Sequence, residues 1–214
     1  MTQSNQITQR QFARVDEIVA KADATPPGEY VALKALCPDM TARSVTFRTA
    51  DSAVKAQERV VKKELDEAIA ASKPLRSFYD QAREAVMAKA PGQTFPASVV
   101  LRTPTDLLNY SEDLEDVLDE RQSETWAKPM FDKMVGLLDA AVKEQTEAST
   151  AMQTLQKLQA ARRLAAVEAR PTFVQFRRVV RATFGRSSRE YRSLLDRQGI
   201  APEEDVVPPT PATP

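Results

Sequence analysis

Histidine is absent from this chain, cysteine occurs once, and glycine only 5 times in 214 residues. Without histidine there can be no Ser-His-Asp triad, no Cys-His pair, no Glu-x-x-His di-iron bundle and no His-bearing zinc site. The lone Cys37 can form neither an intrachain disulfide nor a zinc site, which fits a reducing compartment. Set between Ala35-Leu36 and Pro38, it reads as a small buried hydrophobe rather than a nucleophile. No Gly-x-Gly-x-x-Gly or Walker-type loop occurs, so the usual backbone cradles for dinucleotides and triphosphates are missing. Gly28, Gly92, Gly185 and Gly199 sit beside proline or at segment ends, leaving few places for tight turns. The first residues lack the basic and apolar regions of a signal peptide, and no stretch approaches the roughly 18 apolar residues of a membrane span. A cytoplasmic protein without a membrane partner is expected.

The long stretches between these breaks are filled by Ala, Leu, Glu, Lys, Arg and Gln, the strong helix formers. The expected fold is all-α: an elongated up-and-down bundle of about four long helices with proline kinks. A first helix reads from Ile7 to Lys21 on Phe12, Val15, Ile18, Val19 and Ala22, and Thr25-Pro26-Pro27-Gly28 stops it. A short helix through Tyr30, Leu33 and Leu36 should close at Cys37-Pro38. The strongest periodicity follows, in Val54, Val61, Leu65, Ala68, Ser72, Leu75, Tyr79, Ala82 and Val86, a 3.5-residue seam for packing against another helix. From Asp51 to Lys89 this helix would run about 60 Å, with Pro74 kinking rather than ending it.

Pro91-Gly92 breaks that helix, and a short strand is expected over Ser98–Leu101. Thr103, Pro104 and Asp106 then spell a helix start: a cap, a proline at the first helical position and a carboxylate over the free amides. This helix reads on through Leu107, Ser111, Leu114, Leu118, Arg121 and Thr125, meets Pro129, and resumes with Met134, Leu138 and Ala141. A turn is expected near Thr146–Thr150, a continuous rod being the alternative. The last long helix carries Met152, Leu155, Leu158, Ala165, Phe173, Phe176, Val180 and Phe184 and ends at Gly185. Ser187-Ser188-Arg189-Glu190 then reads as a capping box for a short helix with Tyr191, Leu194 and Leu195. Residues 1–200 form the bundle, and 201–214, rich in proline and acid, a mobile tail.

Ser72-Lys73-Pro74-Leu75-Arg76-Ser77-Phe78-Tyr79 is echoed 97 residues later by Ala169-Arg170-Pro171-Thr172-Phe173-Val174-Gln175-Phe176. Duplicated helical hairpins over 1–102 and 103–200 would produce this, with Pro74 and Pro171 as equivalent kinks and Tyr79 and Phe176 both in the core. Trp126, Phe131, Phe173, Phe176 and Phe184, at helical spacing, are likewise expected to be core.

Charge sums to zero but is segregated: Thr105–Glu147 holds 12 acidic and 4 basic residues, Lys157–Arg197 11 basic and 3 acidic. Helices joined by a turn at 146–150 would bring Asp132, Asp139 and Glu144 near Arg162 and Arg163. Glu112, Asp116 and Glu120 share one helix face; without loop carbonyls to complete a cation site they read as a solvated acidic face. Arg177, Arg178, Arg181, Arg186, Arg189 and Arg192 are the candidate anion-binding residues, because guanidinium binds phosphate or carboxylate bidentately.

Val180-Arg181-Ala182-Thr183-Phe184-Gly185-Arg186-Ser187-Ser188-Arg189-Glu190-Tyr191 resembles the end of a loose group of uncharacterised bacterial all-helical proteins. The resemblance implies a helical fold and no activity, cofactor or site residue. The reading that follows is a non-enzymatic structural or protein-interaction protein, with no catalytic residue, metal or cofactor, assembling with other proteins or with itself. The alternative is an anion- or nucleic-acid-binding module using the arginine-rich last helix. The two separate on whether those arginines face the acidic block or open solvent.

Overall fold

A computed structural model describes residues 9–90 and 92–195, so the expected 201–214 tail lies outside the described residues. The chain is all-α: α1 (Gln9–Asp23), α2 (Val31–Lys89), α3 (Pro104–Asp119), α4 (Ala127–Phe184) and α5 (Arg189–Ser193), with a 3-10 turn over Ser98–Val100. Two compact units divide it, unit 1 comprising residues 1–50 and 161–214 and unit 2 residues 51–160. Both α2 and α4 contribute to each unit, so the units are nested rather than sequential, and each draws on both of the halves 1–102 and 103–200.

In unit 1, α1, the start of α2 and the end of α4 share one core of Phe12, Val15, Ile18, Leu33, Cys37, Met40, Phe47, Ala169, Phe173, Phe176 and Val180, with Leu194 closing it. The expected stop at Cys37-Pro38 does not occur, and α2 runs through it. A proline inside a helix costs about 3 kcal/mol. Continuing the helix buries Met40 and Phe47, each worth about 1.5–3 kcal/mol, and the two together outweigh the proline. Phe47 stacks on Phe12 with ring centroids 4.4 Å apart, and Ser44 donates to Asp16 at 2.9 Å. The link from α1 is held by Lys34, whose ammonium donates to the carbonyls of Thr25 and Pro26, both at 2.7 Å. Tyr30 there takes φ +54°, a conformation L-residues seldom adopt, with its ring against Phe184 at 4.9 Å.

In unit 2 the end of α2, all of α3 and the start of α4 enclose Leu75, Phe78, Tyr79, Ala82, Val86, Leu107, Leu114, Leu118, Met134 and Leu138. The cap expected at Thr103 forms, and Asp106 completes it as a capping box: Asp106 N–H donates to Thr103 Oγ1 at 3.0 Å and Thr103 N–H to Asp106 Oδ2 at 3.1 Å. The helix expected from Pro104 to Ala141 is instead interrupted over residues 120–126 without glycine or proline. A single rod could not lay both Leu107–Leu118 and Met134–Leu138 against the same stretch of α2, and reversing the chain lets both bury there. Turns through Arg121 and Glu124 make the reversal, and Trp126 Nε1 donates to Glu124 Oε2 at 2.6 Å. Pro129 falls in the first turn of α4, where no ladder bond is lost.

Before α3 joins them, α2 and α4 pair alone. Gln57 Nε2 donates to the Ala151 carbonyl at 3.1 Å, while Glu64 lies opposite Glu144 and Glu147, so the two run antiparallel. Val54, Val61 and Ala68 are buried at seven-residue intervals, while Leu65 on the same seam is 37% exposed. One partner helix covers one line of the 3.5-residue seam, and the second line is buried only where α3 adds a third helix, from Leu75 onward.

The expected strand at 98–101 is replaced by the 3-10 turn, clamped from α2. Arg76 donates to the carbonyls of Ser98 at 2.5 Å and Leu101 at 3.2 Å, Asp80 accepts from Ser98 N–H at 2.9 Å, and Tyr79 donates from Oη to the Pro96 carbonyl at 2.9 Å. No neighbouring strand is needed, because side chains satisfy these backbone groups. Pro74 does not end α2, and Tyr79 and Phe176 are both fully buried, as expected. The echo goes little further: after Pro74 residues 75, 78, 79 and 82 are buried, after Pro171 residues 173, 176 and 180.

Two outcomes follow for unit 2. Asp80→Ala strands the buried Ser98 amide and should lower unfolding free energy by about 1–3 kcal/mol with unchanged urea m-value. Burial of Tyr79, foremost, with Asp80 adding to it, pushes its phenol from the usual 10.0 up to about 12. A raised folded pKa means the stabilisation is complete below about pH 10 and lost as pH rises from there towards 12. Urea midpoints measured across pH 9–12 should fall in that window, and Tyr79→Phe should flatten the fall.

Candidate functional site

The candidate arginines all lie in unit 1. Arg177, Arg178 and Arg181 occupy the last two turns of α4, Arg186 the link after Gly185, and Arg189 and Arg192 lie on α5. Gly185 takes φ +90°, the left-handed stop that the sequence called for. The cap of α5 is Ser188, whose Oγ accepts from Tyr191 N–H at 3.1 Å. The cap expected at Ser187, three residues before Glu190, thus falls one residue later, so Glu190 is not placed for the reciprocal arm; its carboxylate pairs with Lys21 of α1, which holds its pKa down. Gln11 Nε2 of α1 donates to the Leu194 carbonyl at 3.1 Å, fixing the other end of α5. The segment carrying Arg186, Arg189 and Arg192 is thus anchored by groups other than its arginines.

Arg177 is half-buried, and Arg178, Arg181, Arg186, Arg189 and Arg192 are exposed. Among the described residues none of the six makes an ion pair; the pairs of unit 1 include Arg14–Glu17, Lys21–Glu190, Arg43–Glu168 and Arg48–Asp16. Arg163, Arg170 and Arg177 follow at seven-residue steps and Arg181 four further on, which sets them along one flank of α4 beside the buried line Ala166, Ala169, Phe173, Phe176 and Val180. All nine basic residues from 161 to 195 are arginine, whereas nine of the fourteen in unit 2 are lysine. The described part of unit 1 holds 15 basic and 7 acidic side chains, and unit 2 holds 14 and 19.

The turn expected at 146–150, on which the approach of Asp132, Asp139 and Glu144 to Arg162 and Arg163 depended, does not form: α4 is one helix of 58 residues through that point. Thr146, Thr150 and Thr154 turn their hydroxyls back onto the carbonyls four residues earlier, at 2.8, 2.9 and 3.0 Å, so they decorate the helix instead of breaking it. Asp132 pairs within its own turn with Lys128, and Glu144 with Lys143.

In unit 2, Glu112, Asp113, Glu115, Asp116, Glu120 and Asp139 make no ion pair among the described residues, and Asp119 accepts from Gln122. Burial and then Asp116, Asp139, Asp119 and Glu112 raise the Glu115 carboxyl above its usual range, so this face is crowded with like charge. A group that sequence reasoning missed is Glu64 with Glu144 and Glu147, carboxylate oxygens within 4.8 Å of one another. Only the antiparallel pairing of α2 and α4 brings them together. Lys63 and Lys143 counter their charge at 3.4–3.8 Å, and the adjoining groove of Gln57, Val60, Thr146, Thr150 and Thr154 is shallow and open.

Phe173 and Phe176 are core in unit 1, whereas Phe184 there and Trp126 and Phe131 in unit 2 are half-buried at the edges of their cores. Cys37 is buried and its thiol donates to the Leu33 carbonyl at 3.3 Å; burial, then Asp23, pushes its pKa up. No helix of the described residues is long and apolar enough to cross a membrane. Comparison with known proteins gave no match to a family model, to a curated protein or to a solved structure.

Cys37 should therefore react with an aromatic disulfide reagent about a hundredfold or more slowly in the native chain than in urea. Rapid stoichiometric labelling of the native chain would contradict its place in the core.

Proposed function

We propose that this is a non-enzymatic structural or protein-interaction protein, cytoplasmic, whose docking surface is the arginine face of unit 1 and whose partner is an acid-rich protein surface. The set Arg177, Arg178, Arg181, Arg186, Arg189 and Arg192 is exposed or half-exposed and without an ion pair among the described residues, which is the arrangement the anion-binding alternative called for; it carries the present reading because the anions we propose for it are the carboxylates of a protein surface. Arginine is the charged residue enriched at protein interfaces, since its planar fork pairs with carboxylates bidentately and is weakly hydrated. The face rests on rigid elements: α4 behind Arg177 to Arg181, and α5 tied down through Gln11 and Lys21. Such a platform presents charge without first having to be ordered, which favours binding.

A nucleic-acid partner is the second reading, and the observation favouring it is that Arg177 and Arg181, four residues apart on α4, continue into Arg186, Arg189 and Arg192, a run of guanidinium groups suited to successive phosphates. The two differ in salt response and in preferred ligand. Each duplex phosphate contacted contributes a slope of about 0.9 to the fall of log affinity with log salt.

The triple substitution Arg177→Gln, Arg178→Gln, Arg181→Gln removes charge from the helix surface and leaves the buried line intact. We expect wild-type chain to bind a polyglutamate peptide in 20 mM salt, the variant to bind about tenfold or more weakly, and helical circular dichroism and melting temperature to be unchanged. A duplex DNA bound more tightly than polyglutamate would favour the second reading, and binding of neither ligand at low salt would refute both.

A further inference from the structure

The arginine face calls for a surface rich in unpaired carboxylates, and the chain carries one. On α3 and just beyond it, Glu112, Asp113, Glu115, Asp116 and Glu120, joined by Asp139 of α4, are without ion pairs among the described residues. Burial first, and then the charges of Asp116, Asp139, Asp119 and Glu112, raise the carboxyl of Glu115, and a cationic surface placed on this face would relieve the repulsion among them. Asp139 and the α3 carboxylates belong to unit 2 and the arginines to unit 1. A second copy can bring an arginine face and an acidic face together.

Spacing supports the match. Glu112 and Asp116 are four residues apart on α3, as Arg177 and Arg181 are on α4, so both pairs present charge about 6 Å apart along a helix. Side chains of one helix can therefore meet those of the other one to one. Net charge of zero removes overall repulsion between copies, so local complementarity decides how they approach.

We propose that the arginine face of unit 1 in one copy docks on the α3–Asp139 acidic face of unit 2 in a second copy; this rests on the reading of that face as a protein-docking surface. The two patches differ, so the contact is heterologous: each copy that uses its arginine face still offers its acidic one. Growth then proceeds head to tail, into rings where the rotation closes and into open chains where it does not.

The test uses full-length wild type, the arginine variant above, and an acidic-face variant, Glu112→Gln, Asp116→Asn, Asp139→Asn, whose three positions are exposed. In sedimentation velocity at 20 mM salt, wild type should rise in weight-average mass with concentration beyond a dimer and fall back to the 23.8 kDa monomer at 500 mM salt. Each variant alone should stay monomeric, with wild-type circular dichroism. Mixed, the two should form a 1:1 pair and stop there, because each supplies the face the other has lost. Self-association of either variant at wild-type strength, or assembly insensitive to salt, would overturn the inference. Wild type that stays monomeric at low salt yet binds polyglutamate through its arginines would also overturn it while leaving the docking face in place. Absence of both would remove the two together.

Discussion

Through Thr146, Thr150 and Thr154 the backbone ladder of α4 is never interrupted, and the distribution of charge depends on that continuity. Three hydroxyls that could have competed for backbone groups in a turn donate along the helix instead. Had the chain reversed there, Asp132, Asp139 and Glu144 would have lain beside the arginines, and the charge blocks would have cancelled internally. As it is, the acidic block lies in unit 2 and the candidate arginines in unit 1, and neither Arg177 to Arg192 nor Glu112 to Asp116 makes an ion pair among the described residues.

The same continuity shapes the cores. An amphipathic helix of nearly sixty residues has more apolar stripe than one neighbour can cover, so α2 and α4 each lend their ends to a three-helix arrangement and are paired more thinly between Asp51 and Ser72. Heptad spacing alone survives in that thin stretch, at Val54, Val61 and Ala68, while Leu65 reaches solvent. Charged groups at the edges act mainly on geometry. Lys34, Arg76 and Asp80 hold links to helices through backbone groups that would otherwise be unsatisfied, which is worth more than an exposed ion pair.

Much of the fold was legible because it rests on local rules. The Thr103 cap, the Gly185 stop, the Thr25–Gly28 break and the face carrying Phe12, Val15 and Ile18 are each decided by a few adjacent residues. What was not legible depended on distant partners. Pro38 is tolerated because Met40 and Phe47 meet a core contributed partly by α4, more than a hundred residues away. The reversal at 120–126 has no glycine or proline to announce it and exists because α2 offers a surface to be covered twice. The arginines were legible as a cluster, while the continuity of α4 was not, since it turned on whether three threonines mark a turn. Glu64 meeting Glu144 and Glu147 needs a pairing register that no single helix encodes.

The only tryptophan and the only cysteine fall in different units. Trp126 lies at the edge of the unit 2 core, with its indole on Glu124 and Lys89 within 5.8 Å of its ring. Cys37 is sealed in the core of unit 1. Indole fluorescence and thiol accessibility therefore provide two natural probes, one for each unit. Since α2 and α4 thread both cores, coincidence of the two signals during denaturation would reveal whether a helix can transmit loss of order from end to end, or whether one half melts while the other persists.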